Sequence, residues 1–219
     1  MKTLGRSTNM DLMDRRTQEK AMQAAGRLPP GQSLTQKFPV LHYGIVPMIN
    51  IEQWTLRIWG EVDREVSLTW EEFNRIPKVQ VTMDLHCVTK WSKFDTQWEG
   101  VYVKDLLQAL NINLTPQAHH LIQHAPQSFS SNLPLAVAMG ENFLLATGYD
   151  GKPLTPEHGY PLRGVMGALP GRRDLKDVYL WKGAKWLNGL EFTDQDKPGF
   201  WEEAGYHNEG DIWKEQRIS

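Results

Sequence analysis

One cysteine stands among 219 residues: Cys87, in the run Asp84-Leu85-His86-Cys87-Val88-Thr89-Lys90-Trp91. A thiolate is both a nucleophile and a soft metal ligand, so Cys87 is the first candidate for chemistry. Being alone, it excludes an intramolecular disulfide and every paired-cysteine zinc pattern. It would serve equally well as a small buried apolar side chain. His86 and Lys90, its neighbours in sequence, are candidates to favour the thiolate. Two further stretches set cations beside glycine: Glu157-His158-Gly159-Tyr160-Pro161-Leu162-Arg163 and Trp181-Lys182-Gly183-Ala184-Lys185-Trp186. Arginine presents a planar fork suited to phosphate, lysine a compact cation, and glycine lets backbone N–H groups approach an anion closely. Taken singly, each stretch reads more readily as a solvated charged loop.

Other chemistries are weaker. A cysteine hydrolase needs a base and an oxyanion site; the seven histidines supply bases, but no local nucleophile signature surrounds Cys87. A zinc site could draw on His119, His120 or His124. His120 and His124 have helical spacing, yet they fall in a segment with strand character, which places them poorly for one metal. No glycine-rich strand-to-helix turn of the phosphate-cradling kind is present.

The elements that must position these groups follow from periodicity. Residues 54–59 alternate as a strand, and a second strand follows at 66–68. Thr69 stands three residues before Glu72, a capping box that opens a short helix ending near Pro77. Val79, Val81, Met83 and Leu85 alternate with Gln80, Thr82, Asp84 and His86, the cleanest strand in the chain, and Cys87 shares its apolar parity. Residues 91–100, read as rich in Trp and Gly, are expected to form a loop beside Cys87. Val103, Leu106, Leu107 and Leu110 are spaced as a helix. Strands are expected at 121–125, 142–148 and 186–192, with a tight turn at Asp150-Gly151. Strands with short interspersed helices, and no regular βαβ alternation, indicate an α+β domain with mixed β-sheets.

The domain is expected to span residues 31–219, with residues 1–30 a polar arm or helix outside it. Arg15-Arg16 is followed by Thr17-Gln18-Glu19-Lys20, polar where an export signal needs an apolar stretch, so a cytoplasmic location is expected. Apolar residues make up 40% and charged residues 23%, which is a globular composition. A net charge of -2 gives no case for nucleic acid, and no apolar run reaches membrane-spanning length. Nine Trp suit a broad pocket or interface as well as core packing.

Taken together, Cys-Val-x-x-Trp at 87–91, His-Gly-x-Pro-Leu-Arg at 158–163 and Trp-Lys-Gly-Ala-Lys-Trp at 181–186 resemble the sulfite-oxidase-like molybdopterin oxidoreductases. The closing Phe200-Trp201-Glu202-Glu203 and Gly205-Tyr206-His207-Asn208, with Trp213-Lys214-Glu215-Gln216-Arg217, are similar to a small bacterial branch. That branch is related to the catalytic subunit of the protein-methionine-sulfoxide reductase. The resemblance runs from about Phe38 to the C-terminus. It implies a sulfite-oxidase-type molybdopterin-binding fold, a molybdenum–molybdopterin cofactor, and Cys87 as the protein's ligand to the metal. It also implies cofactor contacts from Leu41, His42, His124, His158, Arg163, Gly183, Ala184 and Lys185, with phosphate held by Arg163, Lys185 and the 183–184 backbone. The implied activity is oxygen-atom transfer to or from a small oxyanion or sulfur substrate, sulfite- or sulfoxide-like, with a separate electron-transfer partner. Arg57, Lys90 and Arg172 are candidates to meet a substrate oxyanion. One departure stands out: residues 164–178 are longer and more charged than the family's short apolar strand and turn, and read mostly as an inserted surface loop. The alternative is a cofactor-free binding or scaffold protein that retains the fold.

Overall fold

The protein is described here by a computed structural model over residues 12–218. Two β-sheets face one another, and short helices close their ends. The first sheet is built on β5 (Trp91–Val101), paired along one edge with antiparallel β4 (Val79–His86). Its other edge takes parallel β1 (Ser33–Leu34) and antiparallel β8 (Phe143–Tyr149). β9 (Lys152–Pro153) and β10 (Arg163–Met166) both pair with β8. The second sheet runs in the order β3 (Val66–Thr69), β2 (Thr55–Gly60), β11 (Gly189–Thr193), β6 (His120–Ala125), β7 (Phe129–Pro134). The helices are α1 (Leu12–Ala24), α2 (Trp70–Asn74), α3 (Val103–Ala109), α4 (Leu135–Ala138) and α5 (Phe200–Glu203). None is long and apolar enough to cross a membrane.

Between the sheets, Leu56, Ile58, Leu121, Leu133, Phe143, Leu145, Met166, Leu190 and Phe192 form one core with Phe73 and Leu106 from the helices. A second cluster, Val81, Met83, Leu85, Trp98, Leu144, Ala146 and Val165, fills the opposite face of the first sheet. Removing this much apolar surface from water is the main stabilising term. The capping box forms as its residues require: Glu72 N–H donates to Thr69 Oγ1, and the Thr69 N–H donates back to Glu72 Oε2 at 2.8 Å. Asp150 and Gly151, both at positive φ, make the two-residue turn between β8 and β9.

Four expectations are corrected. Residues 91–101 are a long strand, not a loop. Its buried parity includes Ser92 and Thr96, which bond His86 Nδ1 at 2.8 Å and the Met83 carbonyl at 2.5 Å, so polar residues broke the alternation. In β4 the polar parity is also buried at its end: Asp84 takes both fork nitrogens of Arg27, at 2.8 and 2.9 Å, and its backbone bridges to Ala168. Finally, residues 163–166 are a fully buried strand, so the surface segment begins after it and the family's strand is kept rather than displaced. Trp186 lies outside β11 with φ of 54°, which makes the last strand shorter than its spacing suggested. α1 sits mostly exposed over β1, tied by Glu19 Oε1, which accepts from the Leu34 N–H at 2.8 Å.

Candidate active site

Cys87 occupies the tight turn between β4 and β5. The Lys90 N–H donates to the Cys87 carbonyl at 3.0 Å, and Lys90, at φ 70°, turns the chain back so that the Cys87 N–H meets the Trp91 carbonyl at 2.9 Å. The thiol is 8% exposed. Thr89 Oγ1 donates to Sγ at 3.2 Å. Burial pushes the thiol pKa up, while Thr89, the Val88 and Thr89 N–H groups and the charge of Arg217 oppose that rise. His86, expected to favour the thiolate, instead points into the sheet, where burial holds it neutral with a pKa of about 3. The nearby positive charge comes from sequence-distant Arg217.

Sγ looks into a cavity of about 260 Å³. Its walls come from residues 38–43, the Cys87 turn, residues 126–129, the 158–163 segment, residues 180–186, and the tail at Trp201 and Tyr206. Arg163 opens β10 with its guanidinium buried at 2% exposure, donating only to the carbonyls of Gly164 at 3.2 Å and His158 at 3.0 Å. Lys185 Nζ likewise meets only carbonyls, Leu41 O at 2.9 Å and Glu157 O at 2.6 Å. Among the described residues neither cation has a carboxylate within ion-pair distance. Burial pulls the Arg163 pKa down to about 10, and burial followed by the repulsion of Arg163 pulls Lys185 down to about 7. His158 stacks on Phe38 with ring centroids 4.1 Å apart, its Nδ1 is buried without a partner, and burial holds its pKa near 4. A buried cation is normally paired, so buried Arg163 and half-buried Lys185, both without a carboxylate partner, form with the unsatisfied imidazole nitrogen a site that fits an anion. A thiol in the same cavity adds a soft metal donor.

Most of the expected contacts converge here: Leu41, His42, Cys87, His158, Arg163, Gly183 and Lys185 all line the cavity. His124 does not; it bonds Glu191 at 2.9 Å and packs against Trp59. Ala184 is fully buried behind the wall. The expected backbone donors are engaged internally, the Gly183 N–H with the Leu180 carbonyl and the Ala184 N–H with Gln123 Oε1 at 2.9 Å. The two lysines of the 181–186 run diverge. Lys185 faces the cavity, whereas Lys182 is buried against Glu202 at 2.7 Å and Asn132 at 2.6 Å. Arg57 pairs with Glu65, Arg172 with Glu141 and Asp174, and neither they nor Lys90 line the cavity. The sequence reading missed the aromatic walls, Phe38, Trp91, Trp181, Trp201 and Tyr206, for which the dense aromatics of the tail were the available signal.

A cavity that joins a thiol to two cations without carboxylate partners can hold an anionic cofactor beside a soft metal donor. The chain belongs to the oxidoreductase molybdopterin binding domain family, whose model matches residues 43–201. It is a molybdopterin-binding oxidoreductase. It is 42% identical over 196 residues to the uncharacterized oxidoreductase YuiH of Bacillus subtilis, covering 89% of this chain and 93% of that one. It is 26% identical to the putative protein-methionine-sulfoxide reductase subunit YedZ1 of Azospira oryzae, covering 81% of this chain and 64% of that one. The mitochondrial sulfite oxidase of Drosophila melanogaster is 25% identical over 77% of this chain, which spans only 32% of that protein. The fold is similar to the sulfane dehydrogenase SoxCD of Paracoccus pantotrophus, with a TM-score of 0.59 at 18% identity, over 73% of this chain and 42% of that one.

Proposed function

We propose that this chain catalyses oxygen-atom transfer to or from a small oxyanion or sulfur substrate, using molybdenum held by a pterin and by Cys87, and exchanging electrons with a separate protein partner. The observation that carries this reading is the pair of Arg163, buried, and Lys185, half-buried, both without a carboxylate at ion-pair distance among the described residues, in the cavity that holds the chain's single thiol. A scaffold without cofactor gains nothing from a cation buried alone. The bound cofactor supplies the two-electron oxygen-atom chemistry. Arg163 and Lys185 would hold the pterin's phosphate, Arg163 through its fork and Lys185 as a point charge. Leu41, His42 and His158 would border the pterin, with His158 Nδ1 as a hydrogen-bonding partner. Cys87 would fix the metal, Thr89 would donate to its sulfur, and the aromatic walls would exclude water. The reading treats residues 31–219 as the oxidoreductase domain and places the protein in the cytoplasm, in keeping with the polar residues that follow Arg15-Arg16.

The test is to purify the protein from a host that makes the cofactor, and to measure molybdenum, bound pterin and turnover of sulfite and sulfoxides with artificial one-electron carriers. Molybdenum near one per chain is expected. Cys87→Ser should abolish turnover while leaving the fold, and much of the pterin, in place. A Cys87→Ser protein that keeps full activity with molybdenum bound would sink the reading.

A further inference from the structure

The turn that carries Cys87 is held from outside its own strands. The Cys87 carbonyl accepts from Gln32 Nε2 at 3.0 Å in a buried position, and the Val88 carbonyl accepts from Arg217 Nη1 at 2.9 Å. Gln32 is 7% exposed and immediately precedes β1, whose Ser33 N–H donates to the Lys90 carbonyl at 2.9 Å. Arg217 comes from the other end of the chain. Its Nη2 reaches the Pro30 carbonyl at 3.3 Å, and its guanidinium lies 4.8 Å over the Tyr179 ring. The tail around it is fixed in turn: the His207 N–H donates to the Arg217 carbonyl, and Ile218 bridges to Tyr206, a cavity wall. Both residues lie outside residues 43–201, the part that the family model matches.

Hydrogen bonds to two successive carbonyls fix the peptide planes on either side of Val88, and with them the direction in which Sγ leaves the backbone. Metal ligands depend on such outer partners for their orientation. We infer that Gln32 and Arg217 are positioning residues for the Cys87 sulfur, so that two segments flanking the family-matched residues 43–201 help to set the geometry of the metal's protein ligand. This rests on the assignment of Cys87 as that ligand.

Two readouts test it. In the cofactor-free protein, Arg217→Met should speed hydrogen exchange of the Cys87 and Lys90 amides by about ten-fold or more, the effect of losing one charge-assisted hydrogen bond. Exchange in β8 should stay slow. Gln32→Met probes the same turn from the other side, should Arg217→Met fail to fold. In the loaded enzyme, the sulfur-to-molybdenum charge-transfer absorption should move in both Met variants. It should return towards its original position in Arg217→Lys, which keeps a cationic donor for Val88. Unchanged exchange at residues 87–90 in both Met variants, or an absorption band that moves in neither, overturns the inference. A sulfur-to-molybdenum absorption left unchanged by Cys87→Ser overturns the ligand assignment beneath it, and is told apart because the exchange measurement involves no cofactor.

Discussion

Arg163 is expensive to bury and has no counter-charge, and a side chain in that position is best explained by what it binds. Its desolvation disfavours the folded protein until an anion arrives. Arg163→Met should therefore leave the melting temperature of the cofactor-free protein unchanged or higher. Its affinity for the cofactor should fall about ten- to a hundred-fold, as for loss of a charge-assisted contact. A melting curve and a pterin-binding titration on one preparation check both halves. Lys185 makes the same site pH-dependent. Burial and the neighbouring Arg163 pull its pKa down to about 7, so its charge responds to pH near neutrality. A bound anion favours its charged form, so binding takes up a proton and weakens as pH rises through 7. Phosphate's own second ionisation lies near about 6, below which it loses charge. Calorimetric titration of the cofactor-free protein with a phosphate monoester should show its tightest binding between these values; affinity still rising at pH 9 would show that Lys185 does not face the anion.

Among the elements, the short 3₁₀ turn Pro156–His158 does the most for the site. Its closing residue, Gly159, has φ of 105°, and a Cβ there would come within 3.1 Å of the Cβ atoms of both Arg163 and Lys185. Gly159→Ala is therefore strained in its backbone and pushes apart the two cations that should converge. It should lower cofactor retention more than it lowers melting temperature, which gel filtration followed by pterin fluorescence can measure. The β4–β5 pair acts differently. It places Cys87 in a turn between two long antiparallel strands, paired on either side of one bulge at Asp84, so the thiol rides on a rigid support. Strand, capping box and the Asp150-Gly151 turn were legible in the sequence because each is a local rule. β5 was not, since its buried Ser92 and Thr96 are satisfied by partners that only the folded sheet provides.

At the scale of the whole molecule, the C-terminal tail is latched by a buried ion pair. Lys182 Nζ, at 0% side-chain exposure, meets Glu202 at 2.7 Å, and the same carboxylate accepts from Trp181 Nε1 at 2.9 Å. Trp181, Trp201 and Tyr206, which the latch brings together, all line the cavity. Removing one partner of such a pair leaves a charge buried alone and typically costs about 3–5 kcal/mol. Lys182→Met should thus lower stability by that order in denaturant unfolding, and should open the cavity wall to quenchers of Trp fluorescence. An unchanged midpoint would mean that the tail is held elsewhere.

By itself the sequence determined the family, through the order of Cys87, His158, Arg163 and Lys185 and their glycine and tryptophan neighbours. It also determined the α+β class and most strands, through periodicities that need no partner. Tertiary structure alone decided which cations share the cavity. Lys182 and Lys185 sit three residues apart with similar neighbours, yet one is spent on Glu202 and the other left unpaired. It likewise removed His124 from the site by giving it Glu191. It also engaged the backbone of Gly183 and Ala184 within the fold. The reason is that charge pairing and burial are settled by groups far apart in the chain, such as Arg217 at the Cys87 turn, and no local spacing encodes them.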